Sequence, residues 1–310
     1  MTAQLSLNLP SFAAEPPGDW EHLFDVARAA DVTGVDRVVL SDHVVFGEHL
    51  DEYGRPEIGG AAGGKQPTGP DGLWLEPLTT LSVVAGMTSR VRLGTNIIVA
   101  ALRRPVVLAK STSTLDVLSR GRLDLGVGAG WQREEYEAAG LPFEGRGKLL
   151  DSTLDVVQTL WREQRASYSS EFLSFEGIHQ MPKPVQAGGV PIWVSGTLHG
   201  AVLRRIARFG SGWIPWGPDA ADPAAIGRMR EGVAALGRDP SGLQVVGTLP
   251  TVTTPDGRVD VAATVDAIGP LVEAGYTDLR GKVPFPTAGQ SAIEDVLGPL
   301  VTAFRQAVGR

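Results

Sequence analysis

Between Ser89 and Trp131 the chain runs SRVRLGTNIIVAALRRPVVLAKSTSTLDVLSRGRLDLGVGAGW, and this stretch limits the folds open to it. Val91, Leu93 and the run Ile97-Ile98-Val99 make a short apolar strand with a charged start. Pro105 to Leu118 has helical spacing. Leu123, Leu125 and Val127 then alternate into a glycine-rich exit, Gly126-Val127-Gly128-Ala129-Gly130. Strand, helix and strand at this length form a parallel crossover. Its two strand ends, Thr95-Asn96-Ile97 and Gly128 to Trp131, therefore share one rim.

The rest of the chain repeats the pattern. Leu5, Leu7 and Leu9 alternate in a first strand, a Pro16-Pro17-Gly18-Asp19 turn follows, and Asp19 can cap a helix from Trp20 to about Val32. Strands are expected at Arg37 to Leu40, Ile192 to Val194, Trp213 to Trp216, Leu243 to Leu249 and Tyr276 to Leu279. Helices are expected at Leu75 to Met87, Lys148 to Trp161, Ala201 to Phe209, Pro223 to Leu236, Val261 to Ala274 and Ala292 to Val308. Two segments break the rhythm. Residues 47–72 hold eight glycines and three prolines without apolar periodicity, a long loop of the functional kind. Residues 165–189 read as an excursion with a small hairpin around Phe172 to Phe175. Eight strand-helix units with no compositional break predict one domain over 1–310, a (β/α)8 barrel with insertion loops. Chemistry in such a barrel sits on the loops after strands.

The bulk properties exclude several functions. A net charge of -7 argues against nucleic acid or an anionic membrane as partner. The absence of cysteine removes disulfides, thiolate metal sites and a thiol nucleophile. The five histidines are scattered without metal-ligand spacing, so no metal is expected. There is no GxSxG stretch. With no signal-peptide pattern and no apolar run of about 18 residues, a cytoplasmic protein is expected.

His43 follows a buried strand at the functional rim. It can move a proton or hydrogen-bond a ligand oxygen, or it can cap the next segment. Asp42 beside it can accept from a ring N–H or cap a helix. Gly128 to Gly130 and Ser195-Gly196-Thr197 expose backbone N–H groups that suit phosphate, and they serve equally as plain turns. Asn96-Ile97 has no reading from pattern beyond an asparagine satisfying its own backbone. Trp131, Trp213 and Trp216 can wall a cleft or pack the rim. Glu134-Glu135 reads as solvated charge, and Arg103-Arg104 as a solvated helix start before Pro105.

The string from Arg90 to Gly147 closely resembles the luciferase-like monooxygenase superfamily, and within it the coenzyme F420-dependent oxidoreductase branch. LSDHVVFG at 40–47, WLEPLTTLSVVAGMTSRVRLG at 74–94, PKPVQ at 182–186, PIWVSGT at 191–197 and SGWIP after Gly210 extend the likeness over about residues 36–217. The resemblance implies a luciferase-like TIM barrel, usually dimeric, that holds a flavin or deazaflavin at its C-terminal rim. It implies a cis peptide at Asn96-Ile97, bulging against the ring. It also implies Asp42 and His43 at the ring edge, with Gly128, Gly130, Trp131, Ser195, Gly196 and Thr197 toward the ribityl phosphate. The chain has Arg120-Gly121-Arg122 where the family often has Gly-Gly-Arg, and Ser211-Gly212-Trp213 where it often has Asp-Gly-Trp. The function implied is hydride transfer between F420 and a small organic substrate, with His43 as the catalytic residue. An FMN-dependent monooxygenase of the same barrel and a non-catalytic flavin-binding barrel are the alternatives. An aldolase lacks a rim lysine at a strand end.

Overall fold

The computed structural model describes residues 2–310. Eight strands build the frame: β1 (Gln4–Asn8), β2 (Arg37–Leu40), β3 (Arg92–Thr95), β4 (Leu123–Gly128), β5 (Ile192–Gly196), β6 (Gly210–Pro215), β7 (Gln244–Leu249) and β8 (Asp278–Gly281). Each pairs in parallel with the next. β8 returns to β1 in the register Gln4 to Asp278 through Leu7 to Gly281, which closes the barrel.

Helices cover the outside: α1 (Glu21–Thr33), α2 (Pro77–Met87), α3 (Pro105–Leu118), α4 (Arg133–Ala138), α5 (Arg146–Arg162), α6 (Gly200–Phe209), α7 (Ala224–Ala235), α8 (Val261–Asp266), α9 (Ile268–Glu273) and α10 (Gln290–Ala307). Among the described residues no helix is long and apolar enough to cross a membrane. In α1, Leu23, Val26, Ala27 and Ala30 fall on one face and are buried. The Asp19 carboxylate accepts from the Glu21 N–H at its start. Gly34 ends the helix in the left-handed region at φ 86°, its N–H bonded to the Ala30 carbonyl.

Three expectations need refinement. The strand expected to run to Val99 stops at Thr95. The chain then passes through a cis peptide at Asn96-Ile97 and resumes as a short strand, Ile98–Val99, paired with Val127 and Gly128. The single helix expected over 261–274 is two, α8 and α9. Pro270 has no N–H to continue the ladder back to Asp266, so the axis breaks at Ala267. The 165–189 excursion is an antiparallel hairpin of Ala166–Ser169 with Ser174–Ile178, so Phe172 lies in its turn. Arg120 sits at φ 58°, a left-handed position that costs a residue with a Cβ.

The barrel interior is layered. At the N-terminal end Arg37 and Arg92 both bond the Asp124 carboxylate, and Arg37 and Arg280 bond Asp278. Ser6 donates its hydroxyl to Asp278 at 2.9 Å. The Arg37 guanidinium lies 4.7 Å from the Trp193 ring centroid. Above that ring sits an apolar cluster of Trp193, Ile214 and Val246, with Ile97 packed on it.

Asp31 ties the outer layer to this frame. Its carboxylate accepts from the Ser89, Arg90 and Val91 N–H groups at 2.6 to 3.0 Å and from the Ser89 hydroxyl, fixing the approach to β3. Burial works to raise its pKa, but these hydrogen bonds outweigh burial and hold it below the usual value. A carboxyl lowered in the folded state stabilises above its unfolded pKa, and that stability is lost as pH falls through the folded value. Asp31→Ala is expected to cost about 1–3 kcal/mol at neutral pH in urea denaturation. The gap from wild type should narrow below about pH 4.

Candidate active site at the barrel rim

β2 ends at Leu40 and delivers Asp42 and His43 to the C-terminal rim, where their side chains take different paths. Asp42 turns inward. It accepts from the Val99 N–H at 2.8 Å and from both Arg103 Nη groups at 2.6 and 2.9 Å. Its side chain has no exposure. Burial pushes the Asp42 carboxyl up from its ordinary value, against the pull of Arg103. The carboxylate expected at a ring edge is thus spent inside the protein, where it holds the short strand after Asn96-Ile97. Arg103 is not a solvated helix start: its side chain is 16% exposed and bridges Asp42 to Glu76.

His43 stays at the rim within a chain of aromatic rings. Its ring lies 4.6 Å from Phe46, 4.9 Å from Trp74 and 5.9 Å from Trp131, centroid to centroid. Phe12 stacks on Trp74 at 4.2 Å. Tyr53 meets Trp131 at 5.4 Å and Trp216 at 6.1 Å. Of the three tryptophans considered as cleft walls, Trp131 and Trp216 belong to this belt. Trp213 is fully buried and donates Nε1–H to the Gly196 carbonyl at 2.9 Å.

The two strand ends expected on one rim do meet. Ile97 is half-buried, and a Cβ at Gly128 would come within 2.8 Å of its Cδ1. Gly130, at φ +69°, gives the same room to Val99. Asn96 donates its side-chain amide to Asn8 at 3.3 Å. On the neighbouring strand end, Thr197 donates to the Trp216 carbonyl at 3.0 Å. Two of the N–H groups that follow are already engaged. Leu198 donates to the buried Asp219 carboxylate at 2.6 Å, and Ala201 to His199 Nδ1 at 3.3 Å.

Residues 47–72 lie over this rim. Trp216 Nε1–H bonds the Gly59 carbonyl at 2.9 Å, and Arg146 bonds the Ile58 and Gly130 carbonyls at 2.7 and 3.2 Å. A cavity of about 420 Å³ opens instead at the far end of the barrel, lined by Arg37, Arg92, Asp124, Ser211 and Arg238 among others. Reactions on (β/α)8 barrels take place at the C-terminal ends of the strands, so that cavity is not taken as the active site. Ser211 opens β6 at this far end and does not face the rim.

Sequence reasoning missed Glu135. It is 1% exposed, not solvated; its Oε1 accepts from the Val44 N–H at 2.8 Å and lies 3.3 Å from His43 Nδ1. The available signal was its place on α4, one turn past the glycine-rich exit and next to Tyr136. Among the described residues no cluster of His, Asp or Glu could hold a metal ion.

A flat ring fits this donor set. The Ile97 bulge, braced from behind by Gly128, offers it a face. The amides of Asn8 and Asn96 offer hydrogen bonds to a polar ring edge. A phosphate finds less, because Asp219 and His199 already cap the turn after β5.

The closed parallel barrel gathers these residues at its C-terminal rim, where (β/α)8 enzymes carry their chemistry. The chain belongs to one such family, described as luciferase-like monooxygenase, whose model matches residues 5–280. Its members are F420- or flavin-dependent oxidoreductases. An uncharacterised protein of Mycobacterium tuberculosis (strain ATCC 25618 / H37Rv) is 32% identical over 70% of this chain and 73% of its own length. An F420-dependent glucose-6-phosphate dehydrogenase of Kineococcus radiotolerans is 32% identical over 70% of this chain and 59% of its own length. The solved structure of an F420-dependent secondary alcohol dehydrogenase with an F420-acetone adduct has a TM-score of 0.73 at 17% identity. It covers 97% of this chain and 99% of that one, and at this identity shows the shared fold alone.

Removing Arg103 would strand a buried carboxylate. Arg103→Ala is expected to lose about 3–5 kcal/mol in chemical denaturation. Glu76→Ala, which removes the half-exposed end of the same bridge and the acceptor for the Thr79 N–H at the start of α2, is expected to lose less, about 1–2 kcal/mol.

Proposed function

We propose that the chain is an F420-dependent oxidoreductase that moves a hydride between the deazaflavin and a small uncharged organic substrate. The close packing of Ile97 on Gly128, at the same strand-end rim as His43, supports this reading. The F420-dependent relatives support the choice of cofactor. When bound, the cofactor supplies the hydride acceptor or donor. Asn8, Asn96 and Ile97 would hold its ring, with Gly128, Gly130 and Trp131 on the adjoining wall. Ser195, Gly196 and Thr197 would take its phosphate side, through Ser195 and the strand-end backbone.

His43 would give or take the proton that accompanies the hydride. The belt of Phe46, Trp74 and Trp131 around it suits an apolar or aromatic alcohol, ketone or enone. Arg103 and Arg146, guanidinium groups close to this rim, are both engaged within the protein, so neither is free for a substrate phosphate. Residues 47–72 would act as a lid that excludes water. A homodimeric, cytoplasmic enzyme without nucleic-acid or membrane partners completes the proposal. Sedimentation velocity tests the dimer.

The second reading is an FMN-dependent monooxygenase, favoured by the family's description. Anaerobic titration separates the two. F420 should bind and FMN should bind more weakly; tight FMN binding without F420 binding would overturn the first choice. With F420 present, turnover is expected on apolar secondary alcohols or enones and not on glucose 6-phosphate. His43→Ala should lower kcat roughly 10²- to 10⁴-fold while cofactor affinity is kept. Turnover unchanged in that variant would remove His43 from the chemistry; F420 binding without turnover of any alcohol, ketone or enone would favour a barrel that only binds the cofactor.

A further inference from the structure

Glu135 is a carboxylate in the wrong place for a purely structural residue. Its side chain has no exposure, and its Oε2 has no hydrogen-bond partner. A buried carboxylate without a compensating group is costly. The nearby guanidinium of Arg103 is committed to Asp42 and Glu76. Glu134, the next residue back, adds a second half-buried carboxylate against Gly47 rather than a cation. What faces Glu135 is His43. Its Nδ1 is buried, has no hydrogen-bond partner, and stands 3.3 Å from Glu135 Oε1. A small rotation of the ring makes the bond. The His43 side chain is 10% exposed and boxed by Phe46, Trp74 and Trp131, so the ring has few other orientations.

We propose that Glu135 is a positioning residue for His43: its carboxylate keeps the proton on Nδ1, turns Nε2 to the cleft as an acceptor, and balances the imidazolium charge when Nε2 takes up a proton. The inference rests on the proposed hydride-transfer reading for its catalytic part. In the oxidative direction the substrate carbon gives a hydride to the deazaflavin and the hydroxyl gives its proton to Nε2. The oxygen keeps the O–H electron pair, which becomes the second bond of the carbonyl. A neutral imidazole with its proton on Nε2 could not accept that proton. The same Oε1 also receives the Val44 N–H, so the carboxylate fixes the backbone just after His43 as well as its ring.

The test starts from the tautomer, which needs no cofactor. In protein labelled with ¹⁵N-histidine, the His43 ring signals, assigned by their loss in His43→Gln, should report the Nδ1–H form. Glu135→Gln keeps an oxygen for the Val44 N–H but loses the charge. Its His43 signals should shift toward a mixture of tautomers, and kcat should fall about tenfold or more with KM changed far less. A wild-type His43 in the Nε2–H form would overturn the proposal, whether or not any variant folds. So would a folded Glu135→Gln protein with wild-type tautomer and kcat, which would leave Glu135 as a clamp on the turn alone. Protein that binds no F420 yet shows the Nδ1–H form, lost in Glu135→Gln, would retain the positioning role and discard the cofactor reading.

Discussion

The rim depends on one close approach, the Ile97 side chain against the bare Cα of Gly128. β3 and β4 are neighbours in the barrel, and the chain leaving β3 must fold over the end of β4. A side chain at 128 would occupy the space that Ile97 needs. With glycine there, the segment drops onto the apolar cluster of Trp193, Ile214 and Val246, then rejoins β4 through Ile98 and Val99. Asp42 fixes the far end of the segment by taking the Val99 N–H, and Arg103 supplies the charge that lets Asp42 do so out of water. One glycine and one buried ion pair thus position the surface on which a ring can lie.

Two adjacent residues at the end of β2 divide the work. Asp42 points into the protein and serves geometry. His43 stays at the rim among Phe46, Trp74 and Trp131. Each is attended by a side chain from another exit, Arg103 after β3 and Glu135 after β4. The pairs carry opposite senses of charge: a cation answers Asp42, an anion answers His43. Three consecutive strand exits, after β2, β3 and β4, are therefore coupled electrostatically around one small region of the rim.

Most of the frame was legible because each strand is a short apolar run and each helix has its own periodicity. Each of the eight strands overlaps its expected run, but β6 begins at Gly210 rather than Trp213 and β8 is shifted two residues on, to Asp278–Gly281. The break after Thr95 was not legible from pattern, because Asn96-Ile97-Ile98-Val99 reads as uninterrupted strand; only the family likeness marked it. At the site, periodicity located His43 and Gly128 by their position after strands. It failed for Arg103 and Glu135, both in charged pairs, Arg103-Arg104 and Glu134-Glu135, that read as solvent-facing. Burial of such residues is decided by partners distant in sequence, Asp42 and His43, and no local pattern records that. Ser211 opens β6 at the end of the barrel away from the rim that carries His43.

The Arg37 guanidinium is also a mechanical element. It is joined to Asp124 and Asp278 below and lies against the Trp193 ring above. Trp193 bears Ile214 and Val246, and Ile97 rests on that cluster. The barrel axis is thus a column: charged base, indole, aliphatic layer, bulge. The height of the bulge is set by the thickness of what stands beneath it. A change at the base would be transmitted upward as displacement rather than as lost contact, so residues at the far end of the barrel help set the height of Ile97 at the rim.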